Sequence, residues 1–175
     1  GVVSTLLSLV ITVLSAFAFA RLEFKGRDTM FALLLATMMI PGELFTITNY
    51  ATVTQIGWMN TYKVLIVPFL VSVFYIYLLK QNFMQIPEEL IESATLDEAN
   101  EFQIITKIML PMSKSTFVLL IFLHVIGTWN SYMWPLMMTV NDDYRTLPVA
   151  IEGLKNLEGQ LHWPTVMAGN MIILL

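Results

Sequence analysis

Long apolar stretches separated by short polar ones run along the whole 175-residue chain. A helix needs roughly 20 mostly apolar residues to cross the hydrocarbon core of a bilayer. Five stretches have this character and are the predicted membrane spans: residues 1–20, 29–50, 62–79, 115–140 and 162–175. The pattern predicts an all-α fold, a polytopic bundle of transmembrane helices that forms one domain over residues 1–175. Because both ends of the sequence lie inside apolar stretches, we expect it to be a piece of a longer protein.

The composition favours a membrane protein over a soluble one. Apolar residues make up 57% of the chain and charged residues 13%, whereas ordinary globular chains have about 45–50% and about 25%. A soluble, helix-rich core is the alternative, but its long helices should each carry a charged face. Residues 1–20 contain no charged residue, so we expect this chain to be surrounded by membrane lipid.

Several classes of site are disfavoured by residue content alone. The net charge of −4 argues against nucleic acid as a partner, since phosphate binding requires clustered Lys and Arg. The chain has no cysteine, and its two histidines, His124 and His162, are far apart in sequence. We therefore expect neither a metal site nor a cofactor.

The basic residues predict an orientation in the membrane. Cytoplasmic loops of membrane proteins carry an excess of Lys and Arg. If each apolar stretch spans once, residues 21–28 and 80–114 lie on one side and hold six basic residues: Arg21, Lys25, Arg27, Lys80, Lys107 and Lys114. The opposite side holds three, which are Lys63, Arg145 and Lys155. The sequence therefore predicts that loops 21–28 and 80–114 are cytoplasmic.

The region 80–114 is the longest polar interruption, and six of the thirteen acidic residues lie in it between Glu88 and Glu101. Pro87 followed by Glu88 and Glu89 is typical of a helix start, because the carboxylates favour the positive end of the helix dipole. From there to Ile108 the sequence has no Gly or Pro, so helix is expected through much of the region.

Two properties of this region predict that another protein docks on it. Ser93, Ala94 and Ala99 are small and would permit close approach of a partner surface. The like charges of Asp97, Glu98 and Glu101 have no basic residue nearby before Lys107, so a partner that offers Arg or Lys would relieve their repulsion. A helix lying on lipid is the alternative, but such helices usually carry Lys and Arg.

The stretch "ESATLDEA" followed by "FQIITKIMLP" resembles the EAA loop of ABC-importer permeases, the membrane subunits of binding-protein-dependent transporters. The positions that match the family pattern are Glu92, Ala94, Asp97, Ala99, Ile108, Leu110 and Pro111. Ser93 replaces the second residue of the motif, and Glu98 replaces the glycine at which the family turns between two short coupling helices. Because glutamate is a good helix former that disfavours positive φ, the substitution predicts a turn that is shifted or absent.

The resemblance extends over nearly the whole chain and is closest to the carbohydrate branch of that family. The stretches that carry it are "AFAFARLEFKGRD", "MIPGELFTITNY", "LKQNFMQIPEELIESA", "TWNSYMWPLMM" and "YRTLPVAI". It implies a permease subunit of a bacterial inner membrane that carries a sugar or oligosaccharide. It also implies three protein partners: cytoplasmic ATP-binding subunits docked on the EAA loop, a second permease subunit and an extracellular solute-binding protein.

Four polar or aromatic residues are candidates for a substrate pathway, because polar groups inside a membrane are costly and often functional. Trp129, Asn130 and Tyr132 lie near Pro135, where a kinked helix could expose backbone to a cavity, and Asn49 follows the Pro41-Gly42 break. Aromatic faces and amides suit sugar rings. An aromatic belt at the outer interface and capping of helix ends are the structural alternatives.

Three rival functions remain open at this point. An ABC permease for a polyol or for glycerol phosphate differs only in cargo, and a phosphate would favour cations that residues 1–20 and 115–140 lack. An intramembrane enzyme would need a nucleophile–base pair or metal ligands, and the spans offer neither, so we expect no catalytic residue and ATP hydrolysis on a separate subunit. A channel working alone would not explain an acidic loop of small residues.

Overall fold

The computed structural model describes residues 1–156 and, beyond them, residues 167, 168 and 171. In this part of the chain every regular element is helical, which confirms the all-α prediction. The α-helices are α1 (Val2–Arg21), α2 (Arg27–Thr37), α3 (Thr46–Gln55), α4 (Tyr62–Ile66), α5 (Val73–Met84), α6 (Glu88–Leu96), α7 (Glu101–Ile104), α8 (Leu110–Met112), α9 (Lys114–Trp129), α10 (Met133–Met138) and α11 (Leu147–Asn156). Short 3₁₀ turns cover Gly42–Phe45, Val67–Phe69 and Asp142–Tyr144, and a π-helical turn covers Ile105–Met109.

The helix α1 is, among the described residues, the one helix long and apolar enough to cross a membrane by itself. Three further spans become possible if helices separated by a short break are taken as bent pairs, which gives up to four by length and composition. These pairs are Arg27–Thr37 with Gly42–Gln55, Tyr62–Phe69 with Val73–Met84, and Glu101–Met112 with Lys114–Trp129.

The chain forms two compact units. The first contains Gly1–Leu44 and Phe69–Ile126, and the second contains Phe45–Pro68 together with the described residues from 127 onward. The first unit is built on the pairing of α1 with α5, which buries Leu9, Val13, Ala16 and Phe17 against Leu79 and Phe83. The second has a smaller core of Val53, Val64 and Met138.

The core of the first unit reaches into the predicted cytoplasmic loop. Ile86, Ile104, Ile105 and Met109 are all buried in the same apolar cluster as the α1–α5 pair, and Leu120 of α9 joins them. The elements between residues 86 and 112 are therefore fastened by burial to the helices that are predicted to span the membrane, because apolar surface removed from water stabilises their packing.

The predicted spans 29–50 and 62–79 are not continuous helices. The first is interrupted after Thr37 and resumes as a 3₁₀ turn at Gly42, because Pro41 has no N–H to donate and disfavours helical backbone in the residue before it. The second changes from α-helix to a 3₁₀ turn after Ile66, just before Pro68, for the same reason, and it is interrupted again between Phe69 and Val73. These segments are corrected to broken helices.

The boundaries of the later segments also change. The predicted span 115–140 is a helix only to Trp129, after which residues 130–132 interrupt it, and it resumes at Met133. Pro135 explains the break, since it cannot donate the hydrogen bond that a continuous helix would need there. The loop 80–114 begins inside α5, which runs to Met84. The fifth predicted span, 162–175, lies outside the described residues apart from residues 167, 168 and 171.

Candidate functional site

The turn between α6 and α7 is closed by two hydrogen bonds that run back to the last turn of α6. The N–H of Ala99 donates to the Ala94 carbonyl at 3.0 Å, and the N–H of Glu98 donates to the Thr95 carbonyl at 3.0 Å. This is the Schellman arrangement, in which the residue at the turn adopts the left-handed conformation. Glu98 is that residue and has φ 58°.

The expectation that Glu98 shifts or removes the turn is therefore wrong. The turn is present, and Glu98 occupies the position at which the family pattern has glycine. A side chain in the left-handed region costs roughly 1–2 kcal/mol relative to the ordinary helical region. Contacts on both sides of the turn hold Glu98 in this conformation, since a strained backbone persists only where its surroundings determine it.

The second half of the turn is held by a capping box at the start of α7. The Asn100 side-chain oxygen accepts from the N–H of Gln103 at 2.9 Å, and the Gln103 side-chain oxygen accepts from the N–H of Asn100 at 3.0 Å. Such reciprocal caps satisfy two backbone donors that a helix start otherwise leaves without partners. The backbone of residues 97–100 is thus fixed by α6 on one side and by α7 on the other.

The two alanines of the motif face the interior of the chain. Ala94 and Ala99 are both half-buried and pack against the core of the first unit, together with Ile91. Their small size lets the turn lie close to this chain's own core. Close approach by a partner was the predicted reason for these residues, and packing within the chain accounts for them directly.

The outward side of the turn combines two apolar residues with carboxylates. Leu96 is 85% exposed and Phe102 is 70% exposed. The residues beside them, Asp97, Glu98 and Glu101, are exposed as well. We call these five residues the turn surface. Leu96 and Phe102 were not among the candidates from the sequence. Helical phase marks Leu96, which lies five residues, or about 140°, from the inward-facing Ile91.

The remaining motif residues divide between surface and interior. Glu92 and Ser93 are exposed on α6. Leu110 packs against the core, and Pro111 is exposed at the end of the π-helical turn, where the Leu110 N–H donates to the Ile105 carbonyl. The pair Glu101–Met112 then meets Lys114–Trp129 at 86°, so the chain changes direction sharply after the motif.

The junction that leads from α5 into α6 is bound by a distant arginine. One terminal nitrogen of Arg21, Nη2, donates to the Phe83 carbonyl at 2.7 Å and to the Ile86 carbonyl at 2.6 Å. The backbone leaves the helical path at Pro87, whose φ of −54° and ψ of 137° are extended. The last residue of α1 is thereby joined to the entry of α6.

The four candidate pathway residues all lie in the second unit. Trp129 is the last residue of α9 and Asn130 follows it, and both are exposed. Tyr132 is half-buried at the N-terminus of α10, and Asn49 is exposed on α3. Trp129, Asn130 and Tyr132 thus cluster at one helix break. A substrate pathway along them stays a prediction.

Two side chains fix the segments around that break. The side-chain oxygen of Asn60, which has φ 53°, accepts from the N–H groups of Val140 and Asn141 at 2.6 and 2.9 Å. The Trp134 indole N–H donates to the Val64 carbonyl at 2.9 Å. Pro68 leaves that carbonyl without its usual helical donor. The Trp134 bond joins α10 to α4, and the Asn60 bonds join the segments next to these two helices. Within the part of the chain that the structure describes, no three potential metal ligands lie together.

The comparisons with known proteins agree with this architecture. Residues 5–175 match the family model described as "Binding-protein-dependent transport system inner membrane component". The chain is 29% identical over 175 residues to the arabinooligosaccharides transport system permease protein AraQ of Bacillus subtilis (strain 168), covering all of this chain and 62% of that protein. It is 30% identical over 172 residues to the sn-glycerol-3-phosphate transport system permease protein UgpE of Shigella flexneri serotype 5b (strain 8401), covering 98% of this chain and 61% of that protein.

A solved structure shares the fold. It is a bacterial ABC transporter involved in the import of the acidic polysaccharide alginate, with a TM-score of 0.82 and 22% identity over 99% of this chain and 65% of that one. The chain spans somewhat under two thirds of the length of the relatives it matches. The family expected from the EAA-like loop is confirmed, and the protein is a bacterial membrane protein. The chain belongs to the family of binding-protein-dependent transport system inner membrane components.

Proposed function

We propose that this chain is part of a permease subunit of an ATP-driven importer and that the turn surface docks on a cytoplasmic ATP-binding subunit. The observation that carries the proposal is the turn at Glu98. Its backbone is fixed by a Schellman closure and a capping box, it rests on the core through Ala94 and Ala99, and it presents exposed Leu96 and Phe102.

The chemistry of the turn surface indicates what the partner offers. Exposed apolar side chains at such a site gain free energy only when a partner covers them. The carboxylates of Asp97, Glu98 and Glu101 surround them, so the complementary surface is an apolar cleft with Arg or Lys at its rim. The small Ser93 stays exposed on the adjoining face of α6 and permits close approach there.

The mechanism follows from the shared core. The elements that carry the turn surface are buried in one cluster with α1, α5 and α9. Closure of two ATP-binding subunits would move this cluster as a packed body, because tightly packed interiors transmit displacement instead of absorbing it. Rigid-body movement of this kind can exchange access between the two sides of the membrane. Hydrolysis of ATP takes place on the partner, and this chain contributes no catalytic residue.

The other partners and the cargo follow from the family and from composition. A second permease subunit completes the pathway, and an extracellular solute-binding protein delivers the solute. We propose a sugar or oligosaccharide as cargo, with Trp129, Asn130, Tyr132 and Asn49 along its route. The relative named for arabinooligosaccharides supports this choice, and the relative named for sn-glycerol-3-phosphate supports a second candidate cargo.

Uptake by the reconstituted transporter tests the proposal. The full-length protein is assembled with its partner permease and ATP-binding subunits in proteoliposomes, and the binding protein is added outside with arabinotriose or sn-glycerol 3-phosphate. We expect uptake of arabinotriose that requires ATP inside the vesicles. Uptake of glycerol phosphate alone would change the proposed cargo and leave the permease assignment in place. ATP-independent passage of either probe would identify a channel and overturn the proposal.

A further inference from the structure

The junction between α5 and α6 has two backbone carbonyls that lack the donor that a continuing α-helix would supply, those of Phe83 and Ile86. In a continuing helix the carbonyl of Phe83 would accept from the N–H of residue 87, but residue 87 is proline and has none. The backbone donors that reach the Phe83 oxygen are the N–H of Gln85, which it shares with the Asn82 oxygen, and the N–H of Ile86 at 3.4 Å. The carbonyl of Ile86 stands directly before Pro87, where the chain turns extended.

Arg21 donates to both of these carbonyls from a position more than sixty residues away in sequence. Its Nη2 lies 2.7 Å from the Phe83 oxygen and 2.6 Å from the Ile86 oxygen. A charged donor makes stronger hydrogen bonds than a neutral one, and a cation at the C-terminal end of α5 is favoured by the helix dipole. Arg21 is itself the last residue of α1.

The surroundings make this contact part of the interior. Phe83 is fully buried and Ile86 is 6% exposed, and both belong to the core that also holds Ile91, Ala94 and Ala99. The Arg21 Nε is buried as well. Water therefore cannot readily replace the guanidinium, because the carbonyls it binds are shielded from solvent.

We propose that Arg21 is a positioning residue that fastens the entry of α6 to the end of α1, so that movement of the turn surface is passed to α1 without loss. The inference rests on the proposed function, in which the turn surface receives the movement. Without Arg21 the extended backbone at Pro87 becomes a hinge between α5 and α6. The helix α6 then moves with the ATP-binding subunit, and α1 follows only part of that movement.

The same loop contains a matched control. Arg27 carries the same charge six residues later, but its bonds stay local: Nε pairs with Asp28 at 3.1 Å, and Nη1 donates to the Leu22 carbonyl at 3.3 Å. An Arg27→Ala change removes one positive charge from the predicted cytoplasmic loop without touching the junction. Any effect specific to Arg21 therefore reports the junction rather than the charge.

The first experiment measures uptake per ATP hydrolysed in the reconstituted full-length transporter, with arabinotriose and sn-glycerol 3-phosphate as probes. We expect Arg21→Ala to lower this ratio by at least about fivefold, the lower end of typical coupling factors. Hydrolysis itself continues, Arg27→Ala leaves the ratio unchanged, and Arg21→Lys, which keeps a charged donor, restores part of it.

Poor folding would reduce the amount of transporter but not the ratio. A ratio for Arg21→Ala equal to that of wild type overturns the proposal. If Arg21→Ala does not insert into the membrane, Arg21→Gln is measured in its place, and a wild-type ratio for that variant overturns the proposal.

The second experiment separates the junction from transport. The chain has no cysteine, so spin labels are attached to cysteines introduced at the exposed Leu14 of α1 and Glu89 of α6 in the full-length protein, and their distance distribution is measured in nanodiscs. We expect a single narrow distance that broadens in Arg21→Ala and not in Arg27→Ala. An equally narrow distance in Arg21→Ala contradicts the proposal. If wild type takes up neither probe, the proposed function fails, and this distance measurement alone decides the role of Arg21.

Discussion

Two helices of this chain end with the same hydrogen-bond pattern but with different residues in the left-handed position. At the end of α3, Gly57 has φ 68°, and the Trp58 N–H donates to the Val53 carbonyl at 3.0 Å. At the end of α6, Glu98 has φ 58°, and the Ala99 N–H donates to the Ala94 carbonyl at 3.0 Å. Glycine reaches this conformation at no steric cost, whereas glutamate does not.

The two turns together indicate that the backbone conformation is set by the neighbours of the turn residue. In both turns the residue that follows packs against a core: Trp58 on the cluster around Val53, and Ala99 on the cluster around Phe83. Once that following residue is packed, the turn residue before it must adopt the left-handed backbone conformation, whichever side chain the turn residue carries. At Gly57 the left-handed conformation has no steric cost. At Glu98 it strains the backbone, and the Glu98 carboxylate lies on the turn surface.

The largest effect is expected where the left-handed conformation is made impossible. Proline at position 98 fixes φ near −65° and removes the N–H that binds the Thr95 carbonyl, which together cost about 3 kcal/mol or more. Glu98→Pro should abolish ATP-driven uptake while the protein still inserts, as measured by uptake and by membrane fractionation. Glu98→Ala is the control, because it keeps the turn and removes only the carboxylate. Normal uptake by Glu98→Pro would show that the turn does not matter.

A smaller effect is expected when the strain at Glu98 is copied to the other turn. A Cβ at Gly57 would meet no atom within 4 Å, so only backbone conformation opposes a larger residue there. Gly57→Glu should lower the free energy of unfolding by about 1–2 kcal/mol, seen as a lower thermal midpoint of the full-length protein in detergent. Gly57→Asn should cost less, because asparagine tolerates the left-handed region. Equal midpoints for Gly57→Glu and wild type would mean that the turn is not strained by a side chain.

The smallest effect is expected when the strain at the turn surface is removed. Glu98→Gly should raise the free energy of unfolding by up to about 1 kcal/mol, since relief of the left-handed cost is partly offset by the greater freedom of glycine in the unfolded chain. ATP-binding subunits should still copurify with the variant, because the backbone of the turn is unchanged. A lower midpoint, or loss of those subunits, would contradict the view that neighbouring contacts set the turn.

The sequence predicted the helical class, the family and the position of the EAA-like loop, because apolar stretches and the motif depend on local composition. It did not predict that Glu98 would adopt positive φ, since local preference argues for helix and only the packing of Ala99 and the Asn100 cap override it. The inward direction of Ala94 and the contact of Arg21 with Phe83 also depend on tertiary packing. The exposure of Leu96 was within reach of the sequence, because its helical phase differs from that of Ile91.

The most direct measurement is copurification of the full-length protein, in detergent and with its partner permease, with candidate ATP-binding subunits. Wild type is compared with a double variant, Leu96→Ser with Phe102→Ser. The control is Met84→Ser, which removes an exposed apolar residue at the end of α5 that is not part of the turn surface. We predict that wild type and Met84→Ser retain the ATP-binding subunits and that the double variant loses them. Retention by the double variant at the level of wild type would contradict docking through the turn surface.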